Sequence, residues 1–274
     1  MTVINGYATL AEYKNWPAIE SVDIADDGVL EKLIASASRY IDNKTLRYFY
    51  PRLRTRHYNV PETSELRVKD DLLEVVTFTN GDDVVISSSD YLLLPADDYP
   101  KHTIKLRQSS SVGWQMDTSY GDEQIIDLAA VWGYHNNYAE RAWSVGGTLA
   151  AAITTTTSLT ATLTAGHACV TGQIWRIGNE VLNGSISTNT LTAFVRGDNG
   201  STAALHDNGS TVYYWNPQDD IKEAAIMLVA SLDKRRAGES ISSETIATAA
   251  GVLITPRDVP GFTSDVINNY VRRM

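Results

Sequence analysis

The stretch "RGDNGSTAALHDNGS" at residues 196–210 offers three kinds of chemistry. Arg196-Gly197-Asp198 is a tripeptide that animal cell adhesion proteins use. Asp-Asn-Gly-Ser occurs twice and has the carboxylate-and-glycine look of a calcium loop. A calcium loop, however, alternates acidic ligands and closes on a bidentate Glu. Here Asp198 and Asp207 each stand alone before Asn-Gly, a pair that makes tight turns with positive φ between strands. The spacing therefore predicts two turns in a β module.

Other reactive residue types fall short of a constellation. His57, His102, His135, His167 and His206 are scattered without metal-ligand spacing. His167 and Cys169 share a face if extended, but one pair is not a site. Ser231-Leu232-Asp233-Lys234 matches S-x-x-K without the companion motifs of that chemistry, and a lysine at a helix end answers to the dipole. The pairs Asp70-Asp71, Asp82-Asp83, Asp97-Asp98 and Asp219-Asp220 read as turns, a helix start and acidic surface. Sequence neighbours in a regular element do not converge on one proton or one metal. Arg52, Arg54 and Arg56 fall on one face of an extended segment. They suit an acidic partner or a solvated edge strand. Trp143, Trp175, Tyr213, Tyr214 and Trp215 could form a sugar-binding platform, though such residues more often build cores. No catalytic residue, metal site or cofactor is expected.

Composition sets outer bounds. At 274 residues and 43% hydrophobic, the chain is globular and too long for one small core. No apolar run approaches the length of a membrane helix, and the first residues lack the basic-then-apolar pattern of a signal peptide. A single cysteine excludes an internal disulfide and fits a reducing compartment. The net charge of −10 argues against a freely diffusing DNA binder. It still suits a protein that surrounds DNA and lets it slide.

These residues need elements to position them. Residues 26–50 read as a helix with Asp26 or Asp27 as cap and Leu30, Leu33, Ile34, Ala37 and Ile41 on one face, stopped by Pro51. From 52 to 137 the period changes to two, with a hairpin signal at Asn80-Gly81, giving an antiparallel β block. The Thr/Ala/Gly-rich span 146–215 reads as an inserted all-β module. At Asn216 the helical period returns, with Asn216 as N-cap, Pro217 in the first helical position and Lys234, Arg235 and Arg236 in the last turn. Ile221, Ala225, Leu228 and Leu232 form a stripe that Met227 and others widen, so this helix is buried on more than one side. A short helix, "DVINNYVRRM", ends the chain. The fold class expected is α+β: a helical core of two long helices plus the short C-terminal helix, from 1–51 and 216–274, carrying the β block and the β module.

Four segments resemble the head–tail connector, or adaptor, proteins of long-tailed bacteriophages. They are "YATLAEYKNW", "RYIDNKTLRYFYP", "NPQDDIKEAAIMLVASLDKRRAGES" and "SDVINNYVRRM". The module with "IGNE", "RG" and "GSTAALHDNGS" also resembles a β module of phage structural proteins. The β block and the insert exceed the minimal helical connector. The resemblance implies a structural virion protein of the head–tail neck, held in the host cytoplasm before assembly. It would form a homo-oligomeric ring of about a dozen copies under the portal protein. The ring would meet the next neck protein, a stopper or tail-completion protein. Double-stranded DNA would pass through it without sequence recognition, and no membrane is involved. Val266, Ile267, Tyr270, Arg272 and Arg273 would dock on the portal, and deleting 261–274 would abolish that binding while sparing the fold. Ile221, Ala225, Met227, Leu228 and Leu232 would lie on the helix between subunits. A different class, a phage receptor- or carbohydrate-binding protein using the β module, is the alternative.

Overall fold

The computed structural model describes residues 4–17, 19, 24–116, 121–236, 246–247, 253–254 and 261–272. Thr9 opens α1 (Leu10–Lys14) with a capping box: its hydroxyl accepts from the Glu12 amide, and Glu12 reaches back to the Thr9 amide. α2 (Asp27–Thr45) buries Leu30, Ile34, Ala37 and Ile41 at helical spacing and ends where Leu46 turns to φ 56°. Asp26 occupies the N-cap position, but its carboxylate makes no capping bond. It pairs with Arg236 instead, at 2.8 Å.

Five strands follow: β1 (Arg52–Tyr58), β2 (Glu65–Thr79), β3 (Tyr91–Leu94), β4 (Lys101–Leu106) and β5 (Ile126–Trp132). They make one antiparallel sheet in the order β1-β5-β2-β4-β3. Period two brings Ile126, Leu128, Ala130 and Trp132 of β5 into one core with Leu66, Leu72, Phe78 and Ile104. Asn80-Gly81 makes the expected turn, with the Asn80 amide bonding the Val84 carbonyl and Ile86 the Phe78 carbonyl. "VVIS" adds only a bridge between Thr79 and Val85 rather than a strand.

After α3 (Tyr138–Arg141) come β6 (Trp143–Thr148), β7 (Thr160–Thr162), β8 (Ile174–Ile177), β9 (Glu180–Ser187), β10 (Thr190–Val195) and β11 (Thr211–Trp215). Their order is β6-β11-β8-β9-β10-β7. The two outer strands also meet: Leu149 bridges Leu163, the Ala150 amide bonds the Thr162 carbonyl at 2.8 Å, and the Thr164 amide bonds the Thr148 carbonyl at 2.9 Å. The sheet thus closes into a small barrel and leaves no free edge at that seam. Trp175, Ile177, Leu182 and Val212 face its interior. Ile174, Val181 and Trp215 lie on the outside of the same wall and join a second core. The near-continuous apolar run in "IWRIGNEVL" reflects a wall buried on both sides.

α4 (Asp219–Arg236) and α5 (Gly261–Tyr270) complete the fold, with a short ribbon of β12 (Ile246–Ala247) and β13 (Leu253–Ile254). α4 starts two residues later than its cap signals predict. Asn216 is committed elsewhere: its amide N–H bonds the Ala142 carbonyl and its side chain donates to Ser144 Oγ at 2.7 Å, tying the helix approach to β6.

The fold class differs from the helical core that the sequence predicts. Helices make only 25% of the described residues, and more of the regular structure lies in two antiparallel sheets of five and six strands. α2 and α4 touch through Leu30, Ile34, Ile226 and Val229, with Tyr13 of α1 beside them, but this cluster is smaller than the other three and is not the core of the fold. The larger cores are made by β residues, and the central one is shared. Tyr7, Ile41 and Phe49 meet Leu73 of β2, Trp215 of β11, Ile221 of α4 and Val266 of α5 there. The helical stripes are real, but the strands supply more of the buried apolar side chains, and buried apolar surface decides which elements form the core.

Candidate functional site

The residues singled out for docking on a partner are engaged within the chain. Val266 and Ile267 are 6% and 5% exposed and belong to the central core. The Tyr270 ring stands edge-on to Phe49 and Tyr134, with centroids at 5.4 and 5.3 Å, and its hydroxyl donates to Asp220 at 2.6 Å. Burial and that carboxylate push the phenol well above its ordinary range. Arg272 donates to Asp70 at 2.9 Å and to Asp71 at 2.5 Å, while its amide bonds the Thr45 carbonyl. Arg47 completes the clasp, donating to the Tyr270 carbonyl at 2.8 Å and to Asp71 at 2.5 Å. Arg273 lies outside the described residues.

Two expectations change accordingly. Asp70 and Asp71 are not a surface turn. They sit within β2 and hold the end of α5, with Asp71 only 3% exposed. Deleting 261–274 is expected to destabilise the fold rather than spare it, because it would strip Val266 and Ile267 from the core. α5 also begins earlier than its sequence signals predict, at Gly261, and its outward side carries Phe262, Asp265, Asn268 and Asn269.

The α4 stripe is likewise spent inside the subunit. Ile221, Ala225 and Leu228 are buried, the first two in the central core and Leu228 against α1 and α2. Met227 and Leu232 are half-buried, with Leu232 beside the same α1–α2 contacts.

The loop 196–210 turns out to be organised from within. Glu180, at the start of β9, is fully buried. It accepts from Arg196 Nε at 2.6 Å and Nη2 at 2.8 Å, from the amides of Gly197 and Ala204 at 3.0 Å each, and shares a 2.7 Å bond with His206 Nε2. Burial alone would raise its carboxyl, but the Arg196, Ala204 and His206 hydrogen bonds outweigh this and hold it at about 2. Arg196 also donates to the Ser158 and Ala204 carbonyls, at 2.8 and 2.6 Å. The Arg-Gly-Asp tripeptide is therefore turned inward and cannot present its arginine to a receptor. Asp198 accepts from Asn183, and Asn199 exchanges two side-chain hydrogen bonds with Asn5, at 2.7 and 2.8 Å. The loop latches the barrel to the N-terminal segment. Among the described residues no group of His, Cys, Asp and Glu could hold a metal ion.

The remaining candidates stay apart. His167 bonds the Thr188 carbonyl, and Cys169 packs against Gly146 with its thiol pushed up to about 11 by burial. Such a thiol stays protonated and inert. Arg52 lies over the Tyr48 ring at 3.4 Å and Arg56 pairs with Asp70, so only Arg54 of the three is exposed. Trp175 and Trp215 are core residues. Trp143 and Tyr213 flank Arg176, at 4.5 and 5.4 Å from its guanidinium. The proposed sugar platform is thus split: Trp143 packs on Trp215 at 5.0 Å and shares Arg176 with Tyr213, while Trp175 and Tyr214 belong to the barrel interior.

One open, polar cleft of about 530 Å³ lies at the start of α4. His135, Glu140, Gln218, Asp219, Asp220 and Tyr270 contribute to its walls. Burial lowers the His135 imidazole to about 4, so it is neutral at ordinary pH. Sequence reading missed Gln218, which has no signal beyond following Pro217. It also missed Glu180, whose signal is legible: a lone carboxylate inside an apolar strand run requires a buried partner.

No family model matches this chain, and no curated protein matches it by sequence. Among the described residues no helix is long and apolar enough to cross a membrane.

Proposed function

We propose that the chain is a structural protein of the neck of a long-tailed phage, a ring-forming connector beneath the portal that extends the DNA channel. One observation carries this reading. The four segments that resemble connector proteins are far apart in sequence, yet they pack against each other. Tyr7 precedes α1, Ile41 and Phe49 come from the end of α2 and the turn after it, Ile221 and Ala225 from α4, and Val266 and Ile267 from α5; all meet in one cluster. That packing is what a single element built from these segments would require. The net charge of −10 suits a wall past which DNA slides.

On this reading the portal-facing surface of α5 is its outward side, through Phe262, Asn268, Asn269 and the following Val271, since Val266 and Ile267 are occupied. The exposed apolar residues Val84, Val85 and Met116, close to the Asn80-Gly81 turn, are available for contacts between copies. The test is electron microscopy of the purified protein, alone and co-expressed with its portal. A ring coaxial with the portal supports the proposal and identifies the bore residues. Single particles in both samples would remove it.

A further inference from the structure

We infer that the cleft at the start of α4 binds the guanidinium group of an arginine side chain presented by a partner polypeptide. This inference stands without the ring reading, because it rests on the chemistry of the cleft alone.

The cleft is built rather than incidental. Gln218 is 6% exposed, lines it, and has a side-chain Oε1 with no hydrogen-bond partner. Its amide Nε2 is held by the Tyr270 hydroxyl at 3.4 Å. That hydroxyl in turn donates to Asp220 at 2.6 Å, so the amide is oriented with its oxygen left over. A buried acceptor without a donor is costly, and a ligand carrying N–H groups relieves it.

Charge selects a cation. Glu140, Asp219 and Asp220 against Arg141 leave the cleft walls at −2. His135 adds nothing, since burial keeps it neutral above about pH 4. An anion would be drawn to the amides of the helix start, but Asp219 and Asp220 already occupy that first turn, and Asp220 accepts from the Ile221 amide at 2.9 Å. The mixture of one neutral amide acceptor, carboxylates and a tyrosine ring suits a guanidinium better than an ammonium. A guanidinium is planar, weakly hydrated, able to stack on an aromatic face and equipped with five donors. A small hydrated metal ion would need three or more clustered acidic or imidazole ligands, and the described residues provide no such group.

The experiment uses the full chain and two small probes, N-acetyl-arginine amide and the neutral isostere N-acetyl-citrulline amide, titrated by NMR. The arginine probe is expected to shift the signals of Gln218, Asp219 and Tyr270 and to bind about tenfold more tightly than the citrulline probe. Gln218→Glu, which replaces the amide oxygen with a carboxylate, should tighten arginine binding by about tenfold. Gln218→Leu should abolish it, with circular dichroism reporting that the fold is kept. Equal binding of the two probes, shifts that avoid the cleft, or Gln218→Glu without effect on the arginine probe would each overturn the inference.

Discussion

Arg272 and Asp71 are 201 residues apart in sequence and 2.5 Å apart in space. Asp71 accepts Arg272 on one oxygen and Arg47 on the other, inside the long strand β2. The two arginines differ in what they lose when this carboxylate goes. Asp71→Asn leaves the half-buried Arg47 without its carboxylate, while Arg272 keeps Asp70, and is expected to cost about 3 kcal/mol. Arg272→Gln leaves Asp71 paired with Arg47, and should cost nearer 1 kcal/mol. Urea unfolding measures both. Equal costs would mean that the Arg47 contact carries no weight.

Deleting residues 261–274 tests the same clasp from the other side. The central core would lose Val266 and Ile267, Phe49 would lose its ring contact with Tyr270, and Gln218 and Asp220 would lose the Tyr270 hydroxyl. Losing two buried aliphatic side chains and one aromatic contact costs about 5 kcal/mol, comparable to the whole stability of many domains. The truncated protein is expected to unfold without a cooperative transition or to aggregate. A truncated chain with an unchanged urea midpoint would show that α5 is dispensable for folding.

Glu180 sets the acid limit of the barrel. Its carboxyl lies at about 2 in the fold against an ordinary 4.5. The unfolded chain therefore takes up this proton first as pH falls. The stabilisation, about 3 kcal/mol, is complete above pH 4.5 and is lost as pH drops toward 2. Trp175, buried inside the same barrel, reports the loss by fluorescence. Glu180→Gln leaves Arg196 buried without a counter-charge and should cost about 4 kcal/mol at neutral pH. A variant as stable as the parent would show that the latch is held by packing alone.

Gly200 and Gly178 separate backbone strain from space. Both have positive φ, 85° and 57°. A Cβ at Gly200 would stand 2.1 Å from the Leu53 carbonyl oxygen, where the loop crosses β1; at Gly178 nothing lies within 4 Å. Gly178→Ala is expected to cost about 1 kcal/mol, the left-handed penalty alone. Gly200→Ala must also push the loop off β1 and should cost about 3 kcal/mol or more. Thermal unfolding of the two variants distinguishes them, and equal shifts would mean that the seam between barrel and sheet yields freely.

Much of this could be read from the residues. The α2 stripe, the β1 and β5 alternation, the Asn80-Gly81 turn and the two turns of the 196–210 loop all follow from period and turn chemistry. What could not be read was which surfaces meet. Leu30, Ile34 and Ile226 carry a helical period whether they build a bundle or lie against a β structure, so the stripe suggested a helical core that the sheets outweigh. Barrel closure depends on Leu149 meeting Leu163 across intervening chain, a pairing that no local pattern encodes. Asp70-Asp71 looked like surface because their partners, Arg47, Arg56 and Arg272, come from three separate segments of the chain. Glu180 was the exception, a charge in an apolar strand whose need for a partner was visible.

Asp42 gives stability a second dependence on pH, opposite in sign to that of Glu180. It is 5% exposed, accepts the Tyr7 hydroxyl and pairs with Arg39 at 3.1 Å. Burial raises its carboxyl from 3.8 to about 6, although Arg39 and Tyr7 pull the other way. On raising the pH, the unfolded chain ionises this group first. Its contribution is therefore complete below pH 3.8 and falls away as pH rises through 6, by up to about 3 kcal/mol. Glu180 acts from pH 4.5 downward and Asp42 from 3.8 upward, so together they place the stability maximum of these two groups near pH 4 to 5. Asp42→Asn keeps an acceptor for Tyr7 and cannot ionise. It should remove the decline between pH 4.5 and 7 while leaving the acid limb, set by Glu180, in place. Urea midpoints at pH 3, 4.5 and 7 for both proteins make the comparison. A variant whose midpoints run parallel to the parent's would show that Asp42 does not cause the decline.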